Sequence, residues 1–403
     1  MFKFILFVIF LSTAAAAALQ INDTRLPNQA ESFGQFLDGL RINAIQKGIS
    51  ETTLNRAFAG LLPDAKVIEY DRNQAEFTLN FWRYINSRVS DNRLQKGVDK
   101  LQENQDLLGN AYEKYGVNPE VLVAFWGLET NYGKNVGTMN LVRSLATLSF
   151  DERRREFFTK ELLILLKLID EGKLALDVEG SWAGAMGNLQ FMPSNVDAYA
   201  IDKDGDGVLD LWNSKDDIFF TGANFLQNIG WKRDERWGDE VKLAADFDFS
   251  LANIKQKKSV AEWQNLGVIR ADGKEFLQAK QPAALILPMG YQGPAFLVYA
   301  NFYAILRWNR SLLYALSVGY LSDRLAQKPL LVAKAIAEPS LSRFDVQTIQ
   351  QALNQMGFDV GKADGIAGPK TRNAVRDYQR ENALPIDGYV GYQLFKNLQG
   401  QSL

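Results

Sequence analysis

The stretch NPEVLVAFWGLETNYG, residues 118–133, decides how this chain is read. It has the marks of a short helix: Asn118 suits the cap, Pro119 the first turn and Gly133 the stop. Counting back from Glu129 by three, four and seven positions gives Trp126, Phe125 and Leu122, so a carboxylate shares a face with three large apolar side chains. Desolvation disfavours its charged form, and so does the negative end of the helix. A carboxyl kept protonated near neutral pH is what a general acid needs. The competing reading is a structural glutamate paired with a buried Arg or Lys.

Composition narrows the chemistry available to that residue. The 403 residues contain no Cys and no His, which excludes Ser-His and Cys-His nucleophilic systems, thiolate chemistry and the usual zinc and iron sites. Acid and base roles fall to Asp, Glu, Lys or Tyr. A hydrophobic content of 47% is ample for a large core, and the length implies two or three domains. A net charge of −2 with scattered basic residues gives no sign of a nucleic-acid partner. Residues 1–18 place Lys3 before an apolar run that ends in small residues, the layout of a cleavable export signal. No cysteine follows it to carry a lipid anchor.

Apolar residues at spacings of three and four predict helices from about residue 30 to 115, with a cap at Asp91 and a stop at Gly116, and again from Arg153 to Glu171. Between about 240 and 300, short apolar runs broken by Pro288, Gly290, Gly293 and Pro294 predict a small strand-bearing region. Residues 326–342, interrupted by Pro329 and Pro339, read as a linker between residues 19–325 and a compact piece over 343–403. In that piece DGIAGPKT (364–371) and DGYVGYQL (387–394) form a short internal repeat, D-G-x-x-G before a helix. Gly365 and Gly368 suit a turn with positive φ, and Pro369 a first helical turn.

The segment EGSWAGAMGNLQFMPSN, residues 179–195, is too rich in small residues for an ordinary core helix. It suits a surface where backbone approaches a bound chain, with Gln190 supplying an amide. Downstream, DKDGDGVLDLWN (202–213) places Asp202, Asp204 and Asp206 at loop positions one, three and five, with Gly207 at six and the Val208 carbonyl at seven. That is the pattern of a calcium-binding EF-hand loop, except that position twelve is Asn213 rather than Glu. A structural Ca²⁺ is expected, and no organic cofactor.

GLETNYG, GSWAGAMGNLQFMPSN, DKDGDGVLDLW and ANFYAILRWN occur in an order that resembles the membrane-bound lytic transglycosylase B family, in its soluble periplasmic form, over about residues 30–325. The C-terminal piece resembles a peptidoglycan-binding domain of three helices. The resemblance implies a mainly α, lysozyme-like catalytic domain acting on peptidoglycan in a Gram-negative periplasm. Carried over by motif, Glu129 is the catalytic residue, and Ser181 and Gln190 contact substrate. Arg153 and Arg154 match arginines that face the peptide stem, although the Pro often found before them is missing. Asn301 matches the Asn of the N-F-x-x-I segment among the substrate-binding positions, Tyr84 is placed as a sugar-stacking residue, and Trp308 stands where Tyr is common, with its role left open. Asp216 completes the cation loop.

Ordinary glycosidases use two carboxyl groups, and no second one stands near Glu129 in a matching motif; Asp151, Asp177 and Glu179 are near in sequence only. The family's chemistry uses one. The glutamate protonates the oxygen between MurNAc and GlcNAc, then takes the C6 hydroxyl proton as a 1,6-anhydro ring closes. A hydrolytic muramidase and a non-catalytic wall-binding scaffold are the alternatives. Peptidoglycan strands are the expected partner of a monomeric enzyme, with wall-synthesis or division proteins as further candidates.

Overall fold

A computed structural model describes residues 26–72 and 79–400; the export signal expected over residues 1–18 lies outside the described residues. The early apolar spacing resolves into six described helices ahead of residue 118: Leu26–Gln46, Glu51–Phe58, Ala65–Arg72, Phe81–Arg88, Asp91–Glu103 and Gln105–Tyr115. Ser90, not Asp91, caps the fifth, because its hydroxyl accepts the Arg93 N–H while Asp91 already belongs to the first turn. The long helix expected after it breaks at Asn104, and Gly116 ends the pair in the left-handed conformation expected of it (φ 71). A short 3₁₀ turn, Glu152–Arg154, precedes the helix Arg155–Asp170.

The glutamate helix, Pro119–Thr130, lies at the centre. Every residue from Val121 to Leu128 is buried, so it is enclosed on all sides rather than amphipathic. It packs chiefly on the helix Leu312–Leu325, whose own register supplies Tyr314, Ala315, Leu316 and Val318 to the same core. The helices Asp91–Glu103, Gln105–Tyr115 and Lys215–Asn228 also pack on it, and Leu141–Phe150, Arg155–Asp170 and Pro193–Tyr199 extend the same core.

Residues 238–298 form the expected strand-bearing region, a fully antiparallel sheet of five strands. Its order is Lys258–Ser259, Pro282–Ile286, Ala295–Val298, Gly238–Lys242 and Ile269–Arg270. Side chains alternate across the pleat: Ala284, Ile286, Phe296 and Val298 join the main core, while Ala283, Leu285, Ala295 and Leu297 build a second one. Both faces are covered, which is why these strands read as unbroken apolar runs.

The C-terminal piece is three helices, Arg343–Gln355, Pro369–Glu381 and Tyr392–Gly400, around its own core of Val346, Ile349, Leu353, Val375 and Tyr378. The sequence repeat has a structural cause. Gln350 accepts the Gly365 N–H and donates to Asp364, and Gln379 accepts the Gly388 N–H and donates to Asp387. Each D-G turn is thus clamped by a glutamine on an earlier helix. Gly365 has the positive φ its turn requires, whereas Gly368 is extended at φ −77 and serves as the cap before Pro369.

Residues 326–342 carry no helix, as their prolines require, but they are fastened to both sides. Val332 and Ala333 N–H groups donate to Glu240 at 2.7 Å each. Glu338 accepts Asn80 Nδ2 on its carbonyl, and the Tyr389 hydroxyl (2.7 Å) and Tyr392 N–H (2.9 Å) on its carboxylate. Asp387 of the module accepts the Tyr291 N–H of the larger domain at 2.9 Å. The module is docked rather than tethered. Among the described residues no helix is long and apolar enough to cross a membrane.

Candidate active site

Glu129 sits one residue before the end of its helix, which stops because Asn131 and Tyr132 turn left-handed (φ 53 and 62), two residues ahead of the expected Gly133. Asn118 occupies the cap position without a capping side-chain bond. The Trp308 indole Nε1 donates to Glu129 Oε1 at 3.0 Å, and the Tyr314 hydroxyl donates to the same oxygen. Among the described residues nothing hydrogen-bonds Oε2. Burial raises the carboxyl from the ordinary 4.5 to about 7, against the two donors and the Arg88 guanidinium, which favour the charged form. Burial and the neighbouring carboxyl hold the Tyr314 hydroxyl well above its usual range, so it remains a donor.

Trp308 is fixed by rings on three sides. Phe125 lies 4.2 Å away between centroids, Phe191 5.1 Å and Phe225 5.2 Å. Of the apolar neighbours expected around the acid, Phe125 is joined to it through Trp308. The Trp126 ring turns away towards Tyr132, Phe219 and Asn188.

The small-residue segment lies across the end of this helix. Gly180 pairs with Met139 in a two-stranded ribbon, Met139–Asn140 against Glu179–Gly180, and the chain folds back through Gly180–Met186 and Met186–Phe191 bridges. Glycine is required where the layers meet: a Cβ on Gly137 (φ +91) would stand 2.2 Å from the Gly180 carbonyl. Ser181 Oγ accepts the Ala185 N–H at 3.0 Å, which closes the turn. Gln190 is held at φ 53, and its Nε2 donates to the Val136 and Gly187 carbonyls at 3.0 and 2.9 Å. Its amide nitrogen is spent inside the protein, so the group it offers a ligand is Oε1.

Asn188, which the sequence reading passed over, ties these parts together. Its Oδ1 accepts Trp126 Nε1 at 2.6 Å, its carbonyl accepts the Thr130 hydroxyl, and its Nδ2 donates to the Leu211 and Trp212 carbonyls. Its place directly after Gly187, at the end of the small-residue run, was its one signal. Tyr314 was missed too, because Ser317 and Tyr320 share its apolar run LLYALSVGYL and nothing local singles it out.

The other expected residues divide. Tyr84 lies near the Glu129 pocket: its helix packs on the helix of Tyr314, and Arg88 stacks over its ring at 5.3 Å. Arg153 and Arg154 are both held by the buried Asp71, the former at 2.9 Å, and neither touches Glu129. Asn301 is a correction. It is fully buried, and its amide is consumed by the Lys232 N–H and the Lys232 and Glu235 carbonyls, so it shapes the 232–235 loop and has no face for a ligand.

In the acidic loop, Asp202, Asp204 and Asp217 bring carboxylate oxygens within 4.8 Å of one another. Asp217 points inward from the first turn of its helix, where it is 1% exposed and its two oxygens accept the Lys203 and Asp210 N–H groups, while the expected Asp216 stands beside it outside this group of three. Asp206 and Val208 stay in the loop, with Asp206 Oδ1 accepting the Val208 N–H. Three convergent carboxylates are hard oxygen donors, a set that fits Ca²⁺.

Residues 32–323 match the family model described as transglycosylase SLT domain, and residues 342–398 match that of a peptidoglycan binding domain. Membrane-bound lytic murein transglycosylase B of Escherichia coli (strain K12) is 36% identical over 248 residues, 60% of this chain and 67% of that protein. SltB3 from Pseudomonas aeruginosa, solved in complex with NAG-anhNAM-pentapeptide, superposes with a TM-score of 0.88 at 41% identity, over 91% of this chain and 99% of that one. Escherichia coli Slt35 in complex with calcium gives 0.62 at 31% identity, over 73% and 92%. The mainly helical, lysozyme-like architecture with a helical C-terminal module stands as expected. A half-buried glutamate under two donors, beside a small-residue ribbon, is thus the centre of a chain that belongs to the transglycosylase SLT-domain family, of the membrane-bound lytic transglycosylase B type.

Proposed function

We propose that this enzyme cleaves the MurNAc-β-1,4-GlcNAc bond of peptidoglycan with Glu129 as its sole acid and base, leaving 1,6-anhydro-MurNAc ends. The observation that carries this reading is that, among the described residues, no second carboxylate bonds Glu129 or acts on its charge. Asp151 is engaged by Arg72, while Asp177 and Glu179 are exposed. A two-carboxylate hydrolase needs a partner within about 10 Å. Oε1 is fixed by Trp308 and Tyr314, so the proton leaves from Oε2 to the glycosidic O4 as the C1–O4 bond breaks. The substrate's N-acetyl group steadies the cation at C1. Oε2 then accepts the O6 proton as C1–O6 forms, and no water is consumed. SltB3 binds an anhydro sugar of this kind, which supports the product assigned here.

In this reading Ser181 and the Oε1 of Gln190 take hydrogen bonds from the glycan, Tyr84 offers a ring for stacking, and Arg153 and Arg154 bring one net positive charge to the peptide stem. Asp202, Asp204 and Asp217 would hold a Ca²⁺ that fixes the loop next to the Asn188 junction; the ion's two positive charges would offset most of the repulsion among three crowded carboxylates. The protein acts in the periplasm after export, with the C-terminal module gripping the same polymer and wall-synthesis or division proteins as further partners.

Digestion of purified sacculi tests the reaction. Wild type should release products with anhydro ends, 18 mass units short of their hydrated forms by the loss of one water, and Glu129→Gln should release none. Reducing ends from the wild type would make the protein a hydrolytic muramidase, and no products at all would leave a wall-binding scaffold.

A further inference from the structure

Arg88 ends the helix Phe81–Arg88, which packs on the helix that brings Tyr314 to Glu129. Its guanidinium lies over the Tyr84 ring, one helical turn back, at 5.3 Å from the centroid, and its side chain is exposed. Its field reaches both Glu129 and Tyr314. Among the described residues no carboxylate is in ion-pair contact with it, unlike Arg153 and Arg154, which share Asp71. The nearby Arg93 adds a second positive charge and donates to the Arg88 carbonyl.

This arrangement has a consequence for binding. An acid that begins the reaction protonated is neutral, so Glu129 does not balance Arg88 in the state that receives substrate. The sugar rings of the glycan carry no charge either. Given the peptidoglycan reading above, on which this step rests, the only anions the substrate brings to the pocket are the carboxylates of its peptide stems. A planar guanidinium held against a ring is suited to grip a carboxylate with two parallel hydrogen bonds.

We propose that Arg88 determines specificity in this site by pairing with a carboxylate of the acidic stem on the muramoyl residue being cleaved. Tyr84 fixes the guanidinium from below. The purely structural role, a cation closing a helix end over a tyrosine, would leave substrate choice untouched.

The test compares the full-length protein on two glycans of one chain length, the first with free stem carboxylates and the second with those carboxylates amidated. The measured quantity is the ratio of kcat/KM between them, because any effect of Arg88 on Glu129 itself acts on both and cancels. Wild type should favour the acidic stems, and Arg88→Gln should lower that ratio by about 10- to 100-fold, mainly through KM, as expected for a lost charge-assisted bond. Arg88→Lys should restore part of it. An unchanged ratio in Arg88→Gln, whether or not the absolute rates fall, overturns the proposal. A wild type that cleaves neither glycan would instead refute the peptidoglycan reading.

Discussion

The Tyr314 hydroxyl donates to Oε1 of Glu129 from a helix 185 residues further along the chain, and Trp308 donates to the same oxygen. Both bonds favour the carboxylate, and burial outweighs them, which leaves the acid at about 7. The pair therefore fixes which oxygen carries the proton and how tightly.

Activity should follow that balance with pH. Since the acid must start protonated, kcat/KM should fall as pH rises through about 7. Removing a donor that favours the charged form raises the pKa further, so Tyr314→Phe should move the alkaline limb upward by roughly one unit while lowering kcat about 10-fold. A pH–rate profile that shifts downward would show that Tyr314 does not bond the acid.

Glu129→Gln separates catalysis from stability. Turnover should drop by at least about 10²-fold. The native state holds its proton more tightly than the unfolded chain, so wild-type stability is greatest below pH 4.5 and declines as pH rises towards about 7. The glutamine, which still accepts both donors, should thus be more stable than wild type at pH 8 by up to about 3 kcal/mol, with no such gain at pH 4. Chemical denaturation at the two pH values measures this; a mutant less stable at pH 8 would contradict it.

Calcium should raise the melting temperature, with about 2.7 kcal/mol gained at a hundred times the dissociation constant. Asp217→Asn should abolish the increase and Asp216→Asn should keep it, since only Asp217 joins Asp202 and Asp204. Thermal scans with Ca²⁺ and with chelator decide, and the opposite pattern would return the site to Asp216.

Gly137→Ala drives a methyl into the Gly180 carbonyl from a backbone conformation that alanine resists. A loss of about 2–4 kcal/mol is expected, together with loss of activity as the Ser181 turn shifts. Wild-type stability in this variant would mean that the ribbon is not tightly layered.

Glu338→Ala removes the carboxylate that accepts from Tyr389 and Tyr392. The module should loosen, and limited proteolysis within 326–342 should speed up by about 10-fold or more, as expected for losing bonds to a charged acceptor. Equal cleavage rates would show that this carboxylate does not hold the module down.

Local chemistry made much of this protein legible in its sequence. The order of helices, the strand-bearing region, the two D-G turns and the carboxyl embedded among apolar residues all follow from spacing, turn residues and composition, which act over a few positions. The absence of His and Cys narrowed the acid to a handful of groups, and the apolar run singled out Glu129. Tertiary structure decided what lay between distant segments. Tyr314 and Trp308 reach Glu129 only when the last helices of the larger domain pack on its helix, and Asn301 is drawn into the core because the 232–235 loop needs its amide. Asp217 rather than Asp216 turns towards Asp202 and Asp204 for a similar reason: neighbouring aspartates look alike in sequence, but on a helix they point about 100° apart, and only packing determines which one faces inward.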